Sequence, residues 1–311
     1  MGNYAIAIHG GAGRLMTGSL THEQEKAFTD KLSDALQTGY TILSNGGSAV
    51  DAVEATVRVL EDCPLFNAGK GSVFNSEGKN EMDASIMNGK NLKAGAIAAV
   101  QTIRNPISCA RAVMEKSTHV LLAGHGAEKF AEENGIDIVD PSYFHDEERY
   151  QTWLATKDKE GASWAGDTAI ITPEKKLGTV GCVALDSAGN LAAATSTGGM
   201  NNKKFGRVGD SPIIGAGCYA DNKTCAVSCT GEGEYFIRQS TAYDIAALME
   251  YKGFTVAQAA TEAIKKVAQL GGEGGLIAID NQGNISVPFN TSSMFRGWIT
   301  AQGEKFTGIF R

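Results

Sequence analysis

The sequence is short of positive charge, poor in histidine, cysteine and proline, and without any long apolar run. Against 35 Asp and Glu stand 28 Lys and Arg, a formal net charge of -7 over 311 residues. That balance, with no Lys/Arg cluster, argues against a nucleic-acid partner. No apolar run approaches about 18 residues, so no membrane-spanning segment is expected. The start, Met1-Gly2-Asn3-Tyr4-Ala5-Ile6-Ala7-Ile8-His9, lacks the basic region and long apolar core of a signal peptide. Six cysteines (Cys63, Cys109, Cys182, Cys218, Cys225 and Cys229) are too sparse for a disulfide scaffold. Most lie in apolar runs and read as reduced core thiols, so the expectation is a soluble cytoplasmic protein. Cys225 and Cys229 have no second ligand pair, which argues against zinc.

Further absences narrow the chemistry. The five histidines (His9, His22, His119, His125, His145) all fall in the first half, and no Gly-x-Ser-x-Gly elbow supports a serine triad. The run His9-Gly10-Gly11-Ala12-Gly13 follows a strand but fails as a dinucleotide fingerprint, because Met16 holds the last glycine slot. It reads as a tight turn, with His9 bonded to backbone. Gly231-Glu232-Gly233-Glu234 fails as a phosphate loop because its acids repel phosphate.

What is present centres on Gly178-Thr179-Val180-Gly181. Before it runs a polar stretch, and about 140–178 is the least core-like part of the chain, read as a flexible linker. After it Val180, Cys182, Ala184 and Leu185 open a strand, a turn follows at Asp186-Ser187-Ala188-Gly189-Asn190, and 191–199 returns as a second strand. A cut before Thr179 would place a hydroxyl nucleophile and a free α-amine on one Cα, which permits acyl transfer without histidine.

Elsewhere, Thr21-x-x-Gln24 is a capping box for a helix carrying Phe28, Leu32, Leu36, Tyr40 and Leu43. Ser48 caps the next helix, and Asn105-Pro106 starts another. Residues 82–87 and 94–100 read as strands joined at Asn88-Gly89, and 127–134 as a helix. Strands follow over 213–220 and 224–230, then helices over about 234–251 and 255–270. Residues 276–280, 285–288 and 308–310 return to strands. Hairpins with helices grouped between them predict an α+β domain with antiparallel sheets rather than a doubly wound parallel one. A single domain, residues 1–311, split by a surface linker, fits this pattern.

Arg207-Val208-Gly209-Asp210 reads either as a surface ion pair or as a clamp taking a carboxylate on the guanidinium and an ammonium on the Asp. Thr197, Thr230 and Gly231 are either strand and turn residues or donors converging on a reacting carbonyl. Spacing leaves both pairs of readings open.

The stretches 178–186 and 194–199 resemble those of the plant-type L-asparaginase/isoaspartyl peptidases, which are N-terminal-nucleophile hydrolases. The similarity extends to His9-Gly10-Gly11-Ala12-Gly13, to 63–69, to Gly206-Arg207-Val208-Gly209-Asp210-Ser211-Pro212 and to Thr230-Gly231-x-Gly233-Glu234, in collinear order over nearly the whole chain. The resemblance implies a four-layer αββα sandwich cut between Gly178 and Thr179, with an α subunit (1–178) and a β subunit (179–311) assembling as a dimer of αβ heterodimers. It implies Thr179 as nucleophile with its own amine as base. Thr197 would bond the Thr179 hydroxyl, and Thr230 with Gly231 would form the oxyanion hole. Arg207 would hold the substrate carboxylate, Asp210 and the Gly233 backbone its amine, and Asn67 would help to place Thr179. In bacterial members the loop matching 60–70 wraps a structural sodium ion, here through the carbonyls of Leu60, Glu61, Cys63, Phe66, Ala68 and Lys70. No catalytic cofactor is implied. The expected substrates are β-aspartyl dipeptides and L-asparagine, with a glycosylasparaginase or an uncleaved aspartyl-binding protein as alternatives.

Overall fold

Period-two alternation gives each central strand two apolar faces. In β1 (Ala5–Gly13), Ile6 and Ile8 enter one core and Ala5 and Ala7 another. β5 (Val180–Leu185) repeats this, with Val180, Cys182 and Ala184 on the first side and Val183 and Leu185 on the second. So does β6 (Leu191–Thr197), with Ala192 and Ala194 opposite Leu191 and Ala193. A sheet apolar on both faces must be covered on both. This computed structural model describes residues 3–158 and 178–311.

Eight strands form the larger sheet. Its order is β12 (Lys305–Phe310), β11 (Ser293–Thr300), β1, β5, β6, β2 (Met82–Asn88), β3 (Lys93–Val100) and β4 (Leu121–Ala123). Every pair is antiparallel except β3 with β4. Over one face lie α1 (His22–Ser44), α2 (Ala49–Glu61) and α3 (Pro106–Lys116), which bury Leu32, Leu36, Val53, Val57 and Val113 with Ile6, Ile8 and Cys182. α1 starts at the Thr21–Gln24 capping box and α2 at Ser48, each cap contributing about 1 kcal/mol. α4 (Gly124–Glu133) adds Ala127 and Ala131 to the same core.

A second sheet has the order β10 (Ile285–Ser286), β9 (Gly274–Asp280), β8 (Cys225–Gly231) and β7 (Cys218–Ala220). Ala226, Ile277 and Ile279 pack with Ala5, Val183 and Leu185 of the larger sheet. The opposite face sends Cys225, Val227, Cys229, Leu276 and Ala278 against α6 (Gly233–Gln239), α7 (Thr241–Lys252) and α8 (Val256–Gln269). Cys225 and Cys229 are thus i,i+4 partners on one apolar strand face, and all six cysteines are buried and free.

Several local expectations change. The helix expected over 234–251 breaks at Ser240, whose φ of 49° lies in the left-handed region, giving α6 and α7. The strand expected over 213–220 shortens to β7, because 211–217 folds into turns around Asp210 and Ile213. Asn105 stands at the α3 N-cap position, but its side chain reaches Asp62 rather than the helix backbone. β11, beside β1, lies in a stretch where no strand was expected. The linker expected from about 140 begins instead with a 3-10 turn, Pro141–Phe144, and α5 (Glu147–Thr156). Asp146 caps α5, Phe144 and Trp153 are buried, and Tyr150 and Trp153 stack around Phe74, so aromatic packing orders this part. The rest of that stretch, 159–177, lies outside the described residues.

Candidate active site

Thr179 sits one residue before β5, at the centre of the larger sheet, and is 6% exposed. Its Oγ1 lies 3.1 Å from Oγ1 of Thr197, the last residue of β6, and 3.4 Å from Oγ of Ser211. Thr197 Oγ1 also accepts the Gly199 N–H at 3.0 Å, which leaves its own proton and second lone pair for Thr179. Asn67 braces this turn: its Nδ2 donates to Gly199 O at 2.8 Å, and its own carbonyl accepts from Gly198 N. Asn67 therefore acts on Thr197 through backbone rather than on Thr179 directly.

Below Thr179 lies a buried relay. His9 Nδ1 is 3.1 Å from Thr179 O and Nε2 is 2.9 Å from Ser228 Oγ, which is 2.7 Å from Thr195 Oγ1. Burial drives the His9 imidazole down to about 3, partly opposed by its bond to Thr179 O, so it is neutral. A neutral ring facing a carbonyl must donate from Nδ1 and accept at Nε2 from Ser228. His9 thus meets Thr179 at its carbonyl, with its other ring nitrogen on Ser228.

The Gly178–Thr179 step is lined by backbone. A Cβ at Gly11 would lie 2.5 Å from Gly178 N, and φ at Gly11 is 109°, a conformation glycine alone tolerates easily. A Cβ at Gly178 would lie 2.9 Å from Thr230 Oγ1. Thr230, near the end of β8, accepts the Ala12 N–H at 3.2 Å, and among the described residues its own proton has no acceptor. Gly231 follows, pressed on Glu273 O and Gly274.

Arg207, Asp210 and Gly233 also converge. A Cβ at Gly233 would lie 2.9 Å from Asp210 Oδ1 and 3.0 Å from Arg207 Nη2. Asp210 is 3% exposed, and its Oδ2 has no hydrogen-bond partner among the described residues. Burial pushes its carboxyl up to about 7 against the pull of Arg207. An unpaired carboxyl oxygen in so dry a place gains from a cation brought beside it. Arg207 gives Nε and Nη2 to Glu234 at 2.9 and 3.0 Å, so the Nη1/Nη2 edge of its guanidinium faces away from Glu234. Ser211, next to Asp210, bridges this clamp to Thr179.

Three supporting groups escaped sequence reasoning: the Thr195–Ser228 relay, Ser211 beside the nucleophile, and Glu234 behind Arg207. Ser211 and Glu234 fall inside the Arg-Val-Gly-Asp and Thr-Gly-x-Gly-Glu stretches, so motif membership was their one signal. The 60–70 loop is a tight coil ending in a 3-10 turn at Gly69–Gly71. In it, carbonyls of Leu60, Phe66 and Ala68 accept N–H groups of Cys63, Ala68 and Gly71, and half-buried Arg149 donates to Pro64 O and Leu65 O.

A sequence model of the asparaginase family matches residues 2–309. The chain is 52% identical over 313 residues to an isoaspartyl peptidase of Escherichia coli (strain K12), covering 100% of this chain and 97% of that protein. A probable isoaspartyl peptidase/L-asparaginase 2 of Arabidopsis thaliana is 43% identical, with 97% and 98% covered. An isoaspartyl peptidase/L-asparaginase of Mus musculus is 47% identical, with 93% and 86% covered.

Proposed function

The chain belongs to the asparaginase family, and from that footing we propose that it is an isoaspartyl peptidase and L-asparaginase that matures by cutting itself before Thr179. The observation that carries the reading is the buried hydroxyl pair, Thr179 and Thr197, set beside a clamp that offers a free guanidinium edge and an unpaired carboxylate oxygen.

The chemistry runs in two stages. In the uncut chain the Thr179 hydroxyl attacks the Gly178 carbonyl carbon; the acyl group passes from nitrogen to oxygen, and water hydrolyses the ester. Gly11 and Gly178, without side chains, leave room for that step. The freed α-amine of Thr179 then serves as base. Substrate enters with its α-carboxylate on the open edge of Arg207 and its ammonium between Asp210 and the Gly233 backbone, which turns its side-chain carbonyl toward Thr179. The Thr179 amine takes the hydroxyl proton as Oγ1 attacks, and Thr197 orients that oxygen. Charge developing on the carbonyl oxygen falls to the Thr230 hydroxyl and the Gly231 N–H. Collapse expels the leaving amine, which takes the proton back from the Thr179 ammonium and leaves a β-aspartyl ester. Water attacks the ester, its proton going to the Thr179 amine; collapse expels Oγ1, which takes that proton back from the ammonium, and L-aspartate leaves.

We extend the proposal to the αββα sandwich of the N-terminal-nucleophile hydrolases, which the three apolar cores support, and to a dimer of αβ heterodimers in the cytoplasm. The 60–70 loop is proposed to hold a structural sodium through the six carbonyls named above. The carbonyls of Phe66 and Ala68 each accept one N–H and keep a lone pair, and oxygen donors of this kind suit a hard cation that supplies no step of the reaction. The test is aspartate release from β-Asp-Leu, from L-asparagine and from a glycosylated asparagine. Turnover of the first two supports the proposal. Turnover confined to the glycosylated substrate makes the protein a glycosylasparaginase, and binding of aspartate without turnover makes it a binding protein.

A further inference from the structure

Beyond the oxyanion pair, three charged side chains form a rim that the reaction above leaves without a task. Arg14 directly follows β1, where a bulge after His9 replaces the expected tight turn and Gly11–Gly13 stay paired with β11. Its Nε donates to Glu273 Oε2 at 2.6 Å, and its two Nη groups have no partner among the described residues. Glu273 is bound to Glu232 twice through backbone: Glu232 N donates to Glu273 O at 2.9 Å, and Glu273 N donates to Glu232 Oε2 at 3.0 Å. Glu232 itself lies between Gly231 and Gly233, the residues read as serving the oxyanion and the ammonium.

Direction places this rim. The clamp of Arg207 and Asp210 takes the α-carbon end of the substrate, and Thr230 with Gly231 takes the carbonyl oxygen. The leaving nitrogen is then left to depart on the side of the C-terminal end of β1, where Ala12 N touches Thr230 and Gly11 packs on Gly178. Arg14 and Glu232 continue those two walls. Arg14 also repeats the construction of Arg207: a glutamate on the Nε edge fixes the guanidinium, and the Nη edge stays open. Such an edge matches a carboxylate by two parallel hydrogen bonds.

We propose that Arg14, steadied by Glu273 and Glu232, is the leaving-group subsite and receives the α-carboxylate of the amino acid released from a β-aspartyl dipeptide. This rests on the amidohydrolase reading and deepens it: the enzyme prefers leaving groups that carry a carboxylate, and ammonia from asparagine forgoes the contact. Arg14 has a 42% exposed side chain, so its contact is solvent-screened and moderate.

The experiment compares kcat/KM for β-Asp-Leu and for β-Asp-leucinamide, which differ only in that carboxylate, in wild type, Arg14→Gln and Glu232→Gln. Wild type is expected to favour the acid, and Arg14→Gln to reduce that ratio about tenfold, mainly through KM. Glu232→Gln keeps an acceptor for Glu273 N–H but removes a negative charge from the rim, so it shifts the ratio the other way. Turnover of both substrates with a ratio unmoved by Arg14→Gln overturns the assignment to Arg14 alone. Turnover of neither overturns the amidohydrolase reading and the subsite with it.

Discussion

Asp210 pits stability against binding, and Asp210→Asn exposes the conflict. Its carboxyl is pushed up to about 7 by burial, from an ordinary value of 3.8. Between those values the unfolded chain has lost the proton while the folded chain keeps it. A folded-state carboxyl raised in this way favours folding at low pH, and the benefit falls away as pH rises from about 4 through about 7. A rise of about three pH units at ~1.4 kcal/mol each gives a swing of up to about 4 kcal/mol. Asp210→Asn removes the ionisation, so at pH 8 the variant should be more stable than wild type by a few kcal/mol, and at pH 4 nearly equal. Urea denaturation of both proteins at pH 4, 6 and 8 measures this. The same substitution removes the charge that receives the substrate ammonium, so L-aspartate should stabilise wild type and leave the variant unmoved. A stability difference between the two proteins that stays flat between pH 4 and 8, or an Asn variant weaker at pH 8, refutes the burial argument.

Thr197→Val removes the hydroxyl 3.1 Å from Thr179 and the acceptor of Gly199 N–H. Turnover of β-Asp-Leu should fall about 100-fold, in the range of single polar groups lost from such sites, and Thr197→Ser should recover most of it. His9 is held near 3, below its usual value, so its contribution to stability is present above about 6.5 and drains away as pH falls toward 3. His9→Gln should flatten that acid-side loss in urea denaturation. Between pH 5 and 9 the wild-type rate profile should show no inflection from His9; such an inflection, absent in His9→Gln, counts against a neutral imidazole.

Local signals in the chain were faithful where the chemistry is local. The Thr21 capping box, the Ser48 cap and the paired Asp-x-x-Gly-Asn turns all depend on atoms within five residues. Asp186 Oδ1 accepts from Ala188 N and Asn190 N, and Asp280 Oδ1 from Gln282 N and Asn284 N, giving the same turn twice. β11 was illegible because Met294-Phe295-Arg296-Gly297-Trp298 hides its alternation behind an arginine that caps carbonyls at 294 and 310. α5 escaped because its stability comes from Phe74 and from carbonyls 64 and 65, about 80 residues away. Within the site, Thr179, Thr197, Arg207 and Asp210 were readable as residues. The β5–β6 hairpin sets Thr197 beside Thr179, but the approach of Arg207 and Asp210 was not readable, since they lie in the coil between β6 and β7. Glu234 shows the limit: as a helix-start acid it looks ordinary, and only the fold sets it on Arg207.

The central claim is that Thr179 becomes an N-terminal nucleophile, and the most direct measurement is the intact mass of purified protein after incubation at neutral pH, beside Thr179→Ala. The account predicts two fragments from wild type, separated between Gly178 and Thr179, and one uncut chain from the variant. A wild-type chain that stays whole while releasing aspartate from β-Asp-Leu, or cuts at another bond, contradicts it.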